Sequence, residues 1–172
     1  MTIKNRREAL TQLQAEVDVV IIGGGQAALA TAYFLKRKKI PFVILDDQAQ
    51  AGGAWSHAWE SLRLFSPNTW SSLSGWMMPT TEQTYPTRNE VIDYLSAYEQ
   101  RYQFPIIRPV HVDHIEQKDD YLDVYVGDQY WRAKAVVSAT GTWSQPYIPH
   151  YKGHERFEGL QTHSAHRSEE RR

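Results

Sequence analysis

The chain has no cysteine. That excludes a disulfide framework, a thiolate metal site and a redox-active Cys pair. No apolar run approaches the ~20 residues that a membrane-spanning helix needs. Neither sign of charge dominates: 19 Lys and Arg stand against 20 Asp and Glu, a formal net charge of -1. Nothing in that balance favours nucleic acid or an anionic membrane as a partner. The first residues, MTIKNRREALTQLQAE, are charged and lack the apolar centre of a secretion signal, so the expected location is the cytoplasm. No internal repeat is present. With 172 residues, 41% hydrophobic and 23% charged, the chain suits a single soluble domain with a real core.

What is present is concentrated in residues 17–46. The apolar run Val17–Ile22 leads into Gly23-Gly24-Gly25-Gln26-Ala27-Ala28, then a helical stretch, then Phe42–Leu45 ending in Asp46. This order, strand, glycine turn, helix, strand, acid, is what a βαβ dinucleotide-binding unit requires. Gly23 suits the tight turn, and Gly25 lets a pyrophosphate approach the backbone. Ala28, in place of a third glycine, still allows close helix–strand packing. The first helical turn, with Gln26 and Ala27, offers unpaired N–H groups and the positive end of the helix dipole. Asp46 stands where a carboxylate accepts ribose hydroxyls. The bland alternative is a structural glycine turn with a surface aspartate.

Residues 1–16 read as a helical leader that could dock through Leu10 and Leu13. The first helix is predicted from Gln26 to about Lys39, burying Ala28, Leu29, Ala32 and Leu35. Its terminal Lys36, Arg37, Lys38 and Lys39 suit the negative end of the dipole. Residues 47–80 lack periodicity, and a stretch of that length in a compact domain is functional or disordered. Its Trp55, Trp59, Phe65, Trp70 and Trp76 argue against disorder. A second helix is predicted over 87–103, with Thr87 as N-cap and Glu90 completing a capping box. Three strands, Val110–Glu116, Tyr121–Val126 and Tyr130–Ala133, are predicted as an antiparallel meander. Ala135–Ala139 reads as a separate strand buried on both faces, ending at Thr140-Gly141.

Further along, Gly52-Gly53-Ala54-Trp55 follows the acid and Ala139-Thr140-Gly141 follows the last strand. Phe157-Glu158-Gly159 precedes Thr162-His163-Ser164 and His166. Together these resemble the flavin-containing monooxygenases and their relatives with two dinucleotide domains, over about residues 17–166. The implied fold class is α/β: a Rossmann-like FAD-binding domain with a parallel sheet, a glycine-turn βαβ unit and an inserted antiparallel β-meander. The resemblance implies that Gly23, Gly25 and Ala28 cradle the FAD pyrophosphate with Gln26 and Ala27, and that Asp46 holds the adenosine ribose. It places Gly53, Ala54 and Trp55 along the pyrophosphate and flavin, Asn68 and Thr69 facing the flavin, Val110 beside the adenine, and Thr140 and Gly141 over the site. Of these, only Asn68 is a candidate for a catalytic part. The family's reaction is NADPH reduction of FAD, O₂ addition at the flavin and oxygen transfer to a small-molecule substrate.

The chain departs from the family in length. It ends before the second glycine motif, which binds NADPH, and Arg167 replaces an expected aromatic residue. The expectation is therefore a leader over 1–16, an incomplete FAD-binding domain over 17–166 and a tail over 167–172. A homodimer would cover the apolar face left open. The alternatives are a non-catalytic FAD-binding remnant, a subunit of a split flavoenzyme, or an NAD-binding module. Arg63 is read as a cofactor-phosphate contact or a surface ion pair. His150, His154, His163 and His166 invite a metal reading, but Pro149, Gly153 and Gly159 interrupt the helices it needs, and no metal is expected. No Ser/His/Asp arrangement has the turn that a nucleophile requires.

Overall fold

The computed structural model describes residues 16–80 and 83–163. Residues 1–15 of the expected leader, the tail, and Ser164 and His166 lie outside the described residues; Glu16, expected to end the leader, begins the first strand. Along the chain come β1 (Glu16–Ile22), α1 (Gln26–Arg37), β2 (Phe42–Leu45), a 3₁₀ turn (Gly53–His57), α2 (Asn68–Ser71) and α3 (Arg88–Tyr102). Then follow β3 (Ile106–Ile107), β4 (His114–Lys118), β5 (Tyr121–Val126), β6 (Gln129–Ser138) and a last 3₁₀ turn (His154–Arg156).

All six strands form one sheet in the order β3-β2-β1-β6-β5-β4. β3, β2, β1 and β6 run parallel, while β4, β5 and the first half of β6 form an antiparallel meander. Alternation along the strands explains the layering. Val19 and Ile21 of β1 and Phe42 and Ile44 of β2 face α1 and α3, meeting Ala28, Leu29, Ala32, Val91, Leu95 and Tyr98. Val20, Val43 and Leu45 face the other way, onto Val124, Trp131 and Ala133 of the curling meander. The central strands are thus apolar on both faces, as parallel strands must be. Among the described residues no helix is long and apolar enough to cross a membrane.

The capping box forms as read. Thr87 accepts the Glu90 N–H, and Glu90 accepts the Thr87 N–H at 2.7 Å, which holds the Glu90 carboxyl below its ordinary range. Three expectations change. Helix α1 stops at Arg37, and Lys36 turns to donate to the Tyr102 carbonyl of α3. The strand expected from Val110 begins only at His114, because the Val110 N–H goes to the Asp46 carbonyl at 2.8 Å and keeps that segment beside β2. The two strands expected at Tyr130–Ala133 and Ala135–Ala139 are one. Lys134, the polar residue between them, points outward to Asp18 of β1 at 2.6 Å and does not break the strand. Nor is the second half sealed on both faces. Ala135 is exposed and Val136 and Val137 are half-buried, and the pairing with β5 ends at Leu122–Ala133.

The irregular stretch from 47 to 80 is pinned by the tyrosines of α3. The Tyr94 hydroxyl accepts the Leu73 N–H at 2.8 Å and donates to the Trp76 carbonyl at 2.7 Å. The Tyr98 hydroxyl donates to the Ser74 carbonyl at 2.5 Å. Burial pushes that hydroxyl well above the ordinary phenol range. Trp76 packs on both rings. Phe65 and Trp70, by contrast, are 94% and 82% exposed.

Candidate functional site

The parallel strands β1, β2 and β6 end together, and the segments leaving them enclose a cleft of about 840 Å³. This is the crevice beyond the carboxyl ends of the strands in which open α/β sheets bind their ligands. Of the site residues read from sequence, Gly23, Gly25, Gln26, Ala27, Asp46, Gly53, Ala54, Trp55, Val110, Thr140 and Gly141 line it.

Three glycines make the first wall, each for a different reason. Gly23 has φ +99°, and a Cβ there would come within 2.5 Å of the Ala139 carbonyl oxygen, so the turn packs directly on the end of β6. A Cβ on Gly24 would overlap Asp46 Oδ2 and lie 2.7 Å from Arg108 Nη2. Gly25 is glycine for a reason outside the protein's own packing. Its φ is -83°, so no positive φ requires glycine there. The nearest atom to a Cβ on it is Gly53 Cα at 3.9 Å. The protein has room for a methyl group at Gly25, so the demand for glycine comes from the space in front of it.

Gly25 also opens α1 with no side-chain cap, and the first intrahelical bond is Leu29 N–H to the Gly25 carbonyl at 3.1 Å. The N–H groups of the first turn therefore remain for an anion in the cleft. The opposite wall is the 3₁₀ turn Gly53–His57. Gly53, at φ +53°, would bring a Cβ within 2.7 Å of Gly25 Cα, so the two glycines fix how closely the walls meet. Arg88 of α3 holds this turn from behind, donating Nε to the Trp55 carbonyl at 2.9 Å and Nη2 to the Ser56 carbonyl at 2.6 Å. His57 stacks on Trp143 across the mouth.

The acid end is less open than its sequence suggests. The Asp46 side chain is 2% exposed. Its Oδ2 accepts Arg108 Nε at 3.0 Å and Nη2 at 2.8 Å, while Oδ1 has a 3.4 Å contact from the Gln48 N–H. Arg108 also grips Glu99 with Nη1 at 2.8 Å and Nη2 at 2.9 Å. Burial pushes the Asp46 carboxyl up, against the pull of Arg108. Asp47, next along the chain, is exposed on the cleft.

Some expected residues stand elsewhere. Ala28 is fully buried on the face of α1 that packs on the sheet, in the packing role read for it. Asn68 and Thr69 do not line the cleft. Asn68 opens α2 and donates its amide to the Met78 and Pro79 carbonyls, both at 3.2 Å. Arg63 does not line the cleft; it donates to the Tyr85 carbonyl at 3.3 Å. His150 and His154 meet ring to ring, but among the described residues no group of three or more His, Cys, Asp or Glu could hold a metal. A second cavity of about 190 Å³ lies between the 64–78 segment and α3, and Gln26 lines both spaces. Sequence reading missed Gly24, Glu99 and Arg108. Arg108 had a signal: a lone guanidinium after the apolar pair Ile106-Ile107, where burial is expected.

Cleft, glycine turn and acid define a Rossmann-like FAD-binding fold of the flavoprotein type. The chain belongs to the pyridine nucleotide-disulphide oxidoreductase family, whose model matches residues 20–171. A solved flavin-containing monooxygenase from Stenotrophomonas maltophilia is 52% identical with a TM-score of 0.82, covering 88% of this chain and 46% of that one. An uncharacterized CzcO-like oxidoreductase of Geobacillus kaustophilus is 37% identical over 80% of this chain and 39% of its own length. Indole-3-pyruvate monooxygenase YUCCA6 of Arabidopsis thaliana is 29% identical over 86% of this chain and 37% of its own. The chain thus spans less than half the length of these relatives.

Proposed function

We propose that the chain forms the FAD site of a cytoplasmic, NADPH-dependent flavoprotein monooxygenase acting on a small molecule. One observation carries this reading: the Gly23–Gly25 turn and the Gly53–His57 turn close on each other through glycine alone, in front of an uncapped helix N-terminus. Such a cradle suits a pyrophosphate, which needs close backbone approach and N–H donors. The likeness to the Stenotrophomonas enzyme, over 88% of this chain, favours FAD over other dinucleotides.

In this reading Gly25, Gln26 and Ala27 hold the pyrophosphate by backbone N–H groups, and Asp46 accepts the adenosine ribose. Gly53, Ala54 and Trp55 form the wall that excludes water, with Arg88 fixing that wall from α3. Val110, Thr140 and Gly141 close the adenine and β6 sides. Bound FAD would supply the two-electron redox chemistry that these side chains lack. NADPH as electron donor and oxygen transfer as reaction follow from the resemblance to the monooxygenases.

Equilibrium dialysis of the purified chain against FAD and against NAD tests the reading, with a visible spectrum of the retained material. FAD is expected to bind more tightly and to give a flavin spectrum. Tighter binding of NAD would replace this function with that of a nicotinamide-binding module.

A further inference from the structure

Asp46 is buried, yet it is the acid that the dinucleotide reading needs at the ribose. The structure resolves this through a residue that no sequence motif marks. Arg108 sits 62 residues away in the chain and sends Nε and Nη2 to the same oxygen, Asp46 Oδ2. The backbone locks the arrangement, since the Asp46 N–H donates to the Ile107 carbonyl at 3.0 Å and the Val110 N–H to the Asp46 carbonyl at 2.8 Å. Gly24 lies directly over Oδ2 and the guanidinium, with no room for a Cβ. Oδ2 is therefore saturated and covered. Oδ1 keeps acceptor capacity, its one contact among the described residues being the long one from Gln48.

Glu99 completes the arrangement. A free arginine beside the ribose acid would attract a 2′-phosphate, as in dinucleotide sites that select the phosphorylated cofactor. Here Glu99 takes Arg108 in a two-pronged pair, with side-chain exposures of only 16% for Arg108 and 11% for Glu99. Two carboxylates on one guanidinium leave the group at a net charge of -1, which repels a further phosphate.

We infer that Arg108 is the positioning residue that makes Asp46 a ribose ligand, and that Glu99 neutralises Arg108 so that the site takes a ribose diol and refuses a 2′-phosphate. This rests on the dinucleotide reading above. Arg108 touches no cofactor itself; it acts through Asp46.

The test measures FAD affinity by quenching of flavin fluorescence, with the thermal melt of each cofactor-free variant recorded beside it. Arg108→Lys keeps the charge but loses the fork that spans two carboxylates. Arg108→Lys and Asp46→Asn are each expected to weaken FAD on the order of tenfold. The double variant should be no weaker than Asp46→Asn alone, because both changes remove one interaction. Glu99→Gln leaves the Arg108–Asp46 pair in place. It should keep FAD within about threefold while adenosine 2′,5′-bisphosphate gains on ADP, roughly fivefold or more, as a competitor. Unchanged FAD affinity in Arg108→Lys, or effects of Arg108→Lys and Asp46→Asn that simply add, would overturn the positioning role. A Glu99→Gln variant that binds FAD without any gain for the bisphosphate would overturn the charge-balancing role. If the wild-type chain takes up no FAD, the FAD reading itself falls and this inference falls with it.

Discussion

Two aspartates in this protein are almost sealed from water and bound to arginine, yet they do different work. Asp123 of β5 meets Arg132 of β6 side by side, Oδ1 to Nε at 2.8 Å and Oδ2 to Nη2 at 2.9 Å. Both carboxylate oxygens are used, and Arg132 also lies over Tyr121 and Tyr130. The pair is closed and belongs to the meander. Asp46 shares its arginine with Glu99 and leaves one oxygen underused at the wall of a cleft. The two carboxyls respond in opposite directions: the bonds from Arg132 pull Asp123 down, while burial pushes Asp46 up. A completed ion pair builds structure, and one with acceptor capacity to spare builds a site.

The strongest way to break this comparison is to remove each arginine. Arg108→Gln strands two buried carboxylates and should cost about 3–5 kcal/mol of stability in urea denaturation. Arg132→Gln should cost clearly less, because Arg132 is 39% exposed and water replaces part of its role. Equal losses would make the two pairs the same kind of object.

Two neighbouring glycines of the turn, Gly24 over the pair and Gly25 facing the cleft, sharpen the contrast. Gly24→Ala forces Asp46 and Arg108 apart and should cost about 2–3 kcal/mol. Gly25→Ala has room in the protein and should change stability by less than about 1 kcal/mol, while the methyl group weakens FAD by about tenfold or more in dialysis. A Gly25→Ala variant that binds FAD as tightly as the wild type would remove Gly25 from the phosphate site.

Binding separates the aspartates directly. Asp46→Ala is expected to lose about 1.5–3 kcal/mol of FAD affinity, and Asp123→Ala none beyond error. Should Asp46→Ala bind FAD unchanged, the exposed Asp47 beside it becomes the ribose ligand.

The smallest effect is the dependence on pH. Asp46 has a folded value above the ordinary 3.8, so the folded state holds its proton longer than the unfolded chain. Its contribution to stability falls as pH rises from 3.8 through the raised value. Asp123 is the reverse. Its stabilisation is present above 3.8 and is lost as pH falls through its lowered folded value. Urea midpoints of wild type, Asp46→Asn and Asp123→Asn between about pH 3 and about pH 7 should therefore diverge with opposite slopes. Parallel slopes would mean that burial does not dominate at Asp46.

Much of this protein is determined by its sequence through local chemistry. Val17–Asp46 reads as a βαβ unit because each position has a requirement met within a few residues. The Thr87–Glu90 box and the Tyr121–Val126 strand were legible for the same reason. Tertiary structure alone decided the rest. It joined Tyr130 to Ser138 into one strand by pairing Lys134 with Asp18, and drew Val110 to Asp46 instead of into the meander. Above all it placed Arg108 beneath Gly24, between Asp46 and Glu99. Those contacts depend on where three separate chain segments arrive in space, and residue spacing carries no record of that. The sequence marked Asp46 as the acid; only the fold determined which of its oxygens remains to receive a ligand, because the other is covered by a glycine and held by an arginine 62 residues away.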